Sequence, residues 1–438
     1  MSIPQTDFLY PSLGDLLAAR PALRMHAQDG LCFEDVPLNA IADELGTPVW
    51  VYGAGTIRAR YAALRDSFSA AGLTPHIHYA VKANDHLAIL TTLREIGAGA
   101  DVVSLGEFLR AQKAGIAAAD IVFSGVGKTG DEVKTALAAG IGQINVESAA
   151  ELDFLSATAS AMGKTVRIAL RLNPDVDAGT HAKITTGKAD NKFGIPASDI
   201  LALYARAGAL PGIEPVGLAL HIGSQIQSPA PYASAYAKAA GLVLALRAAG
   251  QIVEVLDLGG GLGIGYGDEP GISLTAFANM ARREVGGLGV KLLLEPGRYL
   301  VGPAGLLLTS VILEKHGEKK RFVVLDAAMN DLLRPALYDA YHGILPVSPV
   351  DFLKPCSPAD VVGPVCETGD IFAAARDLPV LAAGARVAIL DAGAYGAVMS
   401  STYNARPRAA AVLVDGGRRK IITPRQRIED LWAHERIP

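Results

Sequence analysis

The chain has 438 residues, of which 50% are hydrophobic and 19% charged. That composition excludes global disorder, and the length points to two or three domains rather than one core. With 40 basic and 44 acidic residues the formal charge is −4, which removes the electrostatic footprint of a general nucleic-acid binder.

The opening segment MSIPQTDFLY has no basic or apolar leader character, so no signal peptide is expected there. No uninterrupted apolar run reaches the roughly 18 residues of a membrane span, and no membrane association is expected. The three cysteines, Cys32, Cys356 and Cys366, cannot build a disulfide framework, so a reducing, cytoplasmic setting is expected. Cys356 and Cys366 have no nearby Cys or His pair and the nine histidines form no ligand pattern, so no metal is expected.

Residues 1–40 lack a regular rhythm, and LCFEDV at 31–36 reads as a strand contributing to a later β domain. Between residues 41 and 305 eight short apolar runs alternate with helical patterns. They are IHYAV (77–81), DVVS (101–104), IVFS (121–124), QINV (143–146), VRIALRLN (166–173), VGLALHIG (216–223), VEVLDLGG (253–260) and VKLLLEPG (290–297). The first five start about every 20–24 residues, the length of a strand, a helix and two short loops. Helices are expected at 56–72, 147–163 and 233–250, each ending in glycine.

Near-continuously apolar strands in βα units are those of a buried parallel sheet. Eight units favour a closed (β/α)8 barrel over an open doubly wound sheet. From 306 to 438 the texture changes. KRFVVLD, ARVAILDAG and RAAAVLVDG are joined by turns without regular helices, which predicts a mostly antiparallel β-barrel or sandwich domain.

Barrel enzymes place their chemistry at the C-terminal ends of strands. Lys82 follows the first strand. It is either a paired structural group or an amine for Schiff-base chemistry. His221 ends the sixth strand, with Gly223, Ser224 and Gln225 behind it. It is a core histidine or a group that stacks on a flat ring. The turn after Asp257, with Gly259, Gly260 and Gly261, is a tight βα connection or a phosphate cradle. Glu295, with Gly297 and Arg298, ends the eighth strand. Glu295 either pairs with Arg298 or faces a ring nitrogen. An amine, a cradle, a carboxylate and an imidazole on four strand ends together suit pyridoxal phosphate. In the second domain, GPVCETGD at 363–370 is read as a loop. Its Cys366 is a buried thiol or, if it reaches a site, a proton donor. Glu367, Arg334, Tyr338 and Tyr395 are further candidates.

The motifs YAVKAN, NKFG, HIGSQ, DLGGG, EPGR, MNDLLRPALYDAYH, GPVCETGD and DAGAYG occur in one order across residues 50–400. In this the chain resembles the pyridoxal-phosphate-dependent amino-acid decarboxylases built on the alanine-racemase-like barrel. The run from Met329 to His342 is similar to the branch that acts on diaminopimelate. The resemblance implies Lys82 as the Schiff-base lysine, His221 against the ring and Glu295 on the pyridine nitrogen. It implies Ser224, Gly260, Gly261, Gly297 and Arg298 around the phosphate.

It further implies Arg298, Arg334, Tyr338, Glu367 and Tyr395 at the substrate, with Tyr395 also serving the cofactor. Cys366 would arrive from a partner subunit as general acid, with Lys82 as runner-up, so that a homodimer shares its active sites. The implied reaction is decarboxylation of meso-2,6-diaminopimelate at its D-centre to L-lysine and carbon dioxide, the last step of lysine biosynthesis. Ornithine- or arginine-type decarboxylation would need no clamp for a second carboxylate, and the setting of Arg334 argues against it. A racemase would need acid–base groups on both ring faces. A non-catalytic cofactor-binding protein would usually lack the second domain.

Overall fold

The computed structural model describes residues 10–177, 187 and 191–438. The chain forms two compact units. One comprises residues 57–264 and 271–301, and the other comprises residues 1–56, 265–270 and 302–438.

Near the start, β1 (Leu23–His26), β2 (Gly30–Phe33) and β3 (Val36–Pro37) pair antiparallel. The strand expected at 31–36 is therefore two short strands turning at Glu34 and Asp35, both with positive φ. They form a three-stranded sheet of their own. β4 (Val49–Gly53) follows, buried at every position.

The barrel unit holds β5 (His76–Ala80), β6 (Gly99–Val102), β7 (Ile121–Phe123), β8 (Gln143–Val146) and β9 (Val166–Asn173). A two-residue strand, β10 (Ile195–Pro196), lies beside β9. β11 (Ile213–Leu220), β12 (Val255–Asp257) and β13 (Lys291–Leu294) complete it. All neighbours are parallel, β8 pairs with β9, and β13 pairs with β5, so the eight principal strands close into a barrel. Each of the eight apolar runs supplies one of these strands.

The helices Ala54–Ala70, Ala149–Ala161 and Pro229–Ala248 follow the expected spans. Each stops near a glycine with positive φ: Gly72, Gly163 or Gly250. A left-handed residue ends a helix without steric cost only when it lacks Cβ. Val122, Val216, Val255 and Leu293 form one buried cluster within the barrel. Burying each such side chain contributes about 1.5–3 kcal/mol.

The second unit contains β14 (Gly305–His316), β15 (Arg321–Leu325), β16 (Ile344–Pro346), β17 (Cys356–Val362), β18 (Ile371–Pro379), β19 (Arg386–Ile389), β20 (Ala410–Asp415) and β21 (Arg418–Thr423). Most pairings are antiparallel, while β15–β17 and β20–β4 are parallel. β4 lies between β14 and β20, which is why residues 49–53 belong to this sheet and the barrel unit starts at Ile57 rather than at residue 41. The N-terminal helix Leu13–Ala18 is tied in by the buried Arg20. Its Nε and Nη2 donate to Asp391 Oδ2 at 2.8 and 2.5 Å, and its Nη1 donates to the Leu16 carbonyl at 2.6 Å. No helix among the described residues is long and apolar enough to cross a membrane.

Gly217 shows how tightly the barrel strands approach. It sits beside a register shift in β11, and a Cβ there would lie 1.9 Å from the Val255 carbonyl oxygen. Gly217→Ala should therefore force backbone movement and lower stability by about 1–3 kcal/mol, measured by denaturant or thermal unfolding.

Candidate active site

All eight barrel strands carry a polar side chain in or just beyond their C-terminal half. Lys82 lies in the 3-10 turn Val81–Ala83 after β5. Its Nζ donates to Asp101 Oδ2 on β6 at 3.0 Å. Asp101 is fully buried, while the lysine side chain keeps 34% of its exposure. The lysine side chain is thus anchored by a buried acid while remaining partly accessible.

His221 follows β11. Burial, then Lys82 and Arg171, push its pKa well below the ordinary imidazole value. Its Nδ1 accepts the Gly260 N–H at 3.3 Å, which fits a neutral ring. The two loops after β11 and β12 are laced together. The Ile226 N–H donates to the Gly261 carbonyl at 3.0 Å, and the Gln225 amide exchanges hydrogen bonds with Ile264.

Gly261 has φ +95°, and a Cβ there would meet the Gly223 carbonyl oxygen at 2.2 Å. A Cβ on Gly260 would lie 2.0 Å from the Glu295 carbonyl oxygen. These glycines let backbone approach backbone. Behind them the Tyr232 hydroxyl donates to the Gly260 carbonyl at 3.1 Å. Arg298 Nη2 donates to Ser224 Oγ at 3.1 Å, joining the eighth strand end to the sixth. Gly297 packs closely on Ala80 and Ala83 beside the lysine turn. Lys82, His221, Ser224, Gly260, Gly261, Glu295, Gly297 and Arg298 are therefore gathered at one end of the barrel.

Of the two readings left open for Glu295, pairing with Arg298 or facing a ring nitrogen, the contacts of its carboxylate with the described residues bear on neither directly. Glu295 is buried and hydrogen-bonded to Asp257. Burial, then the charges of Asp101 and Asp257, hold its carboxyl well above the usual range. Burial also raises Asp257. Nearby, Glu147 and Arg171 form a buried pair at 2.6 Å, and Glu147 also accepts the N–H groups of Gly125 and Gly194. That contact anchors the end of the NKFG segment.

Within the other unit, the residues 363–370 form the loop joining the antiparallel strands β17 and β18. Asp370 pins it, accepting the Val365 and Met329 N–H groups, each at 2.7 Å. The Cys366 N–H donates to Asn404 Oδ1 at 3.0 Å. Cys366 is exposed, so it is not the buried structural thiol that the sequence left open. Glu367 is exposed as well, and the Tyr403 phenol hydrogen-bonds to it. Arg334 and Tyr338 begin and end the short helix Arg334–Tyr338. Arg334 is buried, donates to His342 Nε2 at 2.9 Å and lies over the Tyr266 ring at 4.9 Å. His342 Nδ1 lies 2.7 Å from the Leu390 carbonyl, which fixes Nε2 as the acceptor. Tyr395 sits in the DAGAYG turn with φ 55°.

Sequence reasoning passed over Asp101, Ser124, Asn145, Glu147 and Arg171. The signal was present as polar residues interrupting or ending apolar strands. Gln143, Asn145 and Glu147 alternate along one face, as a strand requires.

The barrel-end groups fit pyridoxal phosphate. A buried carboxyl crowded by two other acids calls for a cationic N–H partner, which a protonated pyridine ring provides. Asp101 Oδ1 has no hydrogen-bond partner among the described residues, another acceptor beside the lysine. The fold and these groups define a barrel-type pyridoxal-phosphate enzyme.

Residues 54–302 match the family model described as pyridoxal-dependent decarboxylase, pyridoxal binding domain. The diaminopimelate decarboxylase of Zymomonas mobilis is 48% identical over 415 residues, covering 92% of this chain and 96% of its own. That of Neisseria meningitidis serogroup A is 46% identical, covering 92% and 98%. The crystal structure of diaminopimelate decarboxylase from Helicobacter pylori complexed with L-lysine has a TM-score of 0.87 and 40% identity, covering 90% and 98%. The chain belongs to the pyridoxal-dependent decarboxylases and, within them, to the diaminopimelate decarboxylases.

The close approach at Gly261 makes a direct prediction. Gly261→Ala should weaken cofactor retention by about tenfold or more, read from the pyridoxal phosphate left on the protein after dialysis.

Proposed function

We propose that the chain decarboxylates meso-2,6-diaminopimelate at its D-centre, giving L-lysine and carbon dioxide as the last step of lysine biosynthesis. The observation that carries this is the likeness to diaminopimelate decarboxylases along both units, at 92% coverage and 48% identity. It is joined at the site by the Lys82–Asp101 pair at 3.0 Å. Three free thiols suit a reducing, cytoplasmic setting.

Lys82, His221, Ser224, Gly260, Gly261, Glu295, Gly297, Arg298 and Tyr395 would hold the cofactor. When bound, pyridoxal phosphate supplies a carbonyl for the amine and a conjugated ring that takes up the electron pair left by carbon dioxide. Lys82 Nζ is the covalent anchor and must shed a proton to act. The Asp101 carboxyl group beside it, at 3.0 Å, is placed to receive that proton. Neutral His221 offers a flat apolar face without adding a positive charge. Glu295 would face the ring nitrogen and favour its protonated form.

Substrate recognition is assigned to Arg298, Arg334, Tyr338, Glu367 and Tyr395. Arg334 is a permanent cation oriented by His342, suited to a carboxylate. Glu367 suits the distal ammonium. A substrate without the distal carboxylate would forgo the charge-assisted hydrogen bond to Arg334, which disfavours it. Cys366 stands exposed on a loop braced by Asp370. That suits a thiol presented by one subunit of a homodimer to the site of its partner, where it protonates the carbon that has lost its carboxyl group.

Two tests separate these assignments. The purified protein should carry a lysine-linked cofactor absorbance band that borohydride alters irreversibly, and Lys82→Ala should remove both the band and all measurable carbon dioxide release from meso-diaminopimelate. Brisk release from ornithine or arginine, with none from diaminopimelate, would overturn the substrate. Cys366→Ala should fold normally and lower kcat by about 10²–10⁴-fold. An intact rate with unchanged product stereochemistry would remove Cys366 from the proton-donor role.

A further inference from the structure

The polar groups inside the barrel extend beyond those facing the cofactor. Gln143 Nε2 donates to Asn145 Oδ1 at 2.8 Å, which turns the Asn145 amino group the other way. That nitrogen lies 3.1 Å from Ser124 Oγ, 3.2 Å from Asp257 Oδ2 and 3.4 Å from Glu295 Oε1. Two hydrogens thus face three acceptors, and two of those acceptors are carboxylates with almost no contact with water.

The distances sort the two acids. Asp257 takes the nearer amide contact and, on Oδ1, the Gly259 N–H at 3.0 Å. Glu295 receives the longer amide contact. Hydrogen bonds donated to a carboxylate favour its charged form. Two acids this close and this buried cannot both ionise without a counter-charge. Asp257 is accordingly the member held as an anion, and Glu295 is the member that keeps a proton or takes a cationic partner.

The charged groups facing Glu295 are Lys82 from the turn after β5, Asp101 on β6 and Asp257 on β12. After burial itself, Asp101 raises the Glu295 carboxyl most, Asp257 next, and Lys82 opposes them more weakly. Asp257 accepts from the Gly259 and Asn145 N–H groups and is hydrogen-bonded to Glu295, so it acts on Glu295 both by charge and by direct contact.

We propose that Asp257 and Asn145 are positioning residues for the ring nitrogen: Asn145 stabilises Asp257 as a buried anion, and that anion keeps the proton within the pair formed by Glu295 and the ring. This rests on the cofactor reading given above. Neither residue touches the cofactor in this scheme. Both act through Glu295, by setting its basicity and fixing its orientation. Asp257→Asn preserves shape and removes the charge. The ring nitrogen should then give up its proton at lower pH, because less negative charge opposes the loss. Asn145→Ser should produce a smaller shift in the same direction, since Asp257 loses a donor and takes up a proton where it was ionised.

The test uses holoenzyme loaded with pyridoxal phosphate carrying the heavy nitrogen isotope in its ring. The ring-nitrogen chemical shift is followed against pH in wild type, Asp257→Asn and Asn145→Ser. The expected result is a midpoint lowered by about one unit or more in Asp257→Asn and by less in Asn145→Ser. Variants that retain cofactor and share the wild-type midpoint overturn the proposal. Weaker retention with an unmoved midpoint overturns it too, because that is a merely structural effect. Should Asp257→Asn fail to fold, Asn145→Ser decides alone, by the same two outcomes. If wild type itself carries no pyridoxal phosphate, the cofactor reading fails first, and that result differs from any midpoint comparison.

Discussion

Three of the carboxylates buried in the barrel gather at one place, and one ammonium pairs with one of them. Asp101, Asp257 and Glu295 come from β6, β12 and the end of β13, and Lys82 pairs with the first of these. Removing each ion from water costs several kcal/mol after relaxation, so the arrangement survives only with donors supplied on every side. The remaining polar architecture meets most of that demand, leaving Asp101 Oδ1 without a partner among the described residues. The Gly259 N–H, the Asn145 amide and the Lys82 ammonium all point at these acids. The glycines after β12 allow the loops to come close enough to do so. Such a charge imbalance also selects its ligand, because a ring with a basic nitrogen brings the missing positive charge with it.

The second unit has a different task, the display of Cys366 and Glu367 on a short loop. Asp370 restrains that loop through two backbone N–H groups, and a Cβ on Gly363 would strike Asp370 Oδ2 at 2.4 Å. Arg334 is handled in the opposite way. It is buried and oriented by an imidazole whose tautomer is fixed by the Leu390 carbonyl. A mobile-looking sequence of small residues thus carries a braced thiol, and an ordinary helix carries a buried cation.

The strands of the barrel were legible because each is a short, nearly unbroken apolar run, the mark of a strand covered on both faces. Lys82, His221 and Glu295 were legible because they follow such runs directly. Asn145 and Asp101 were not, since a single polar residue within a run reads as an interruption rather than as an inward-facing group. Their meaning depends on partners far along the chain, such as Asn145 with Asp257. The ambiguity at Glu295 had the same origin. Spacing offered Arg298 as its partner, while the fold brought in Asp257 from another strand. VWVYG at 49–53 looks like any barrel strand locally. Only its pairing with Gly305–His316 and Ala410–Asp415 places it in the other sheet.

That last strand carries a cost in time. Val49–Gly53 leaves the ribosome early, yet both of its sheet neighbours are translated only after the whole barrel. Residues 57–301 contain nearly all of a self-contained unit and can collapse as they emerge, while a fully apolar β-prone segment waits beside them for strands not yet made. The nascent chain therefore passes through a stage at which this early strand is synthesised and its two sheet neighbours are not, a template for pairing with other chains. Speed of elongation past residue 305, rather than stability of the finished sheet, governs how long that stage lasts.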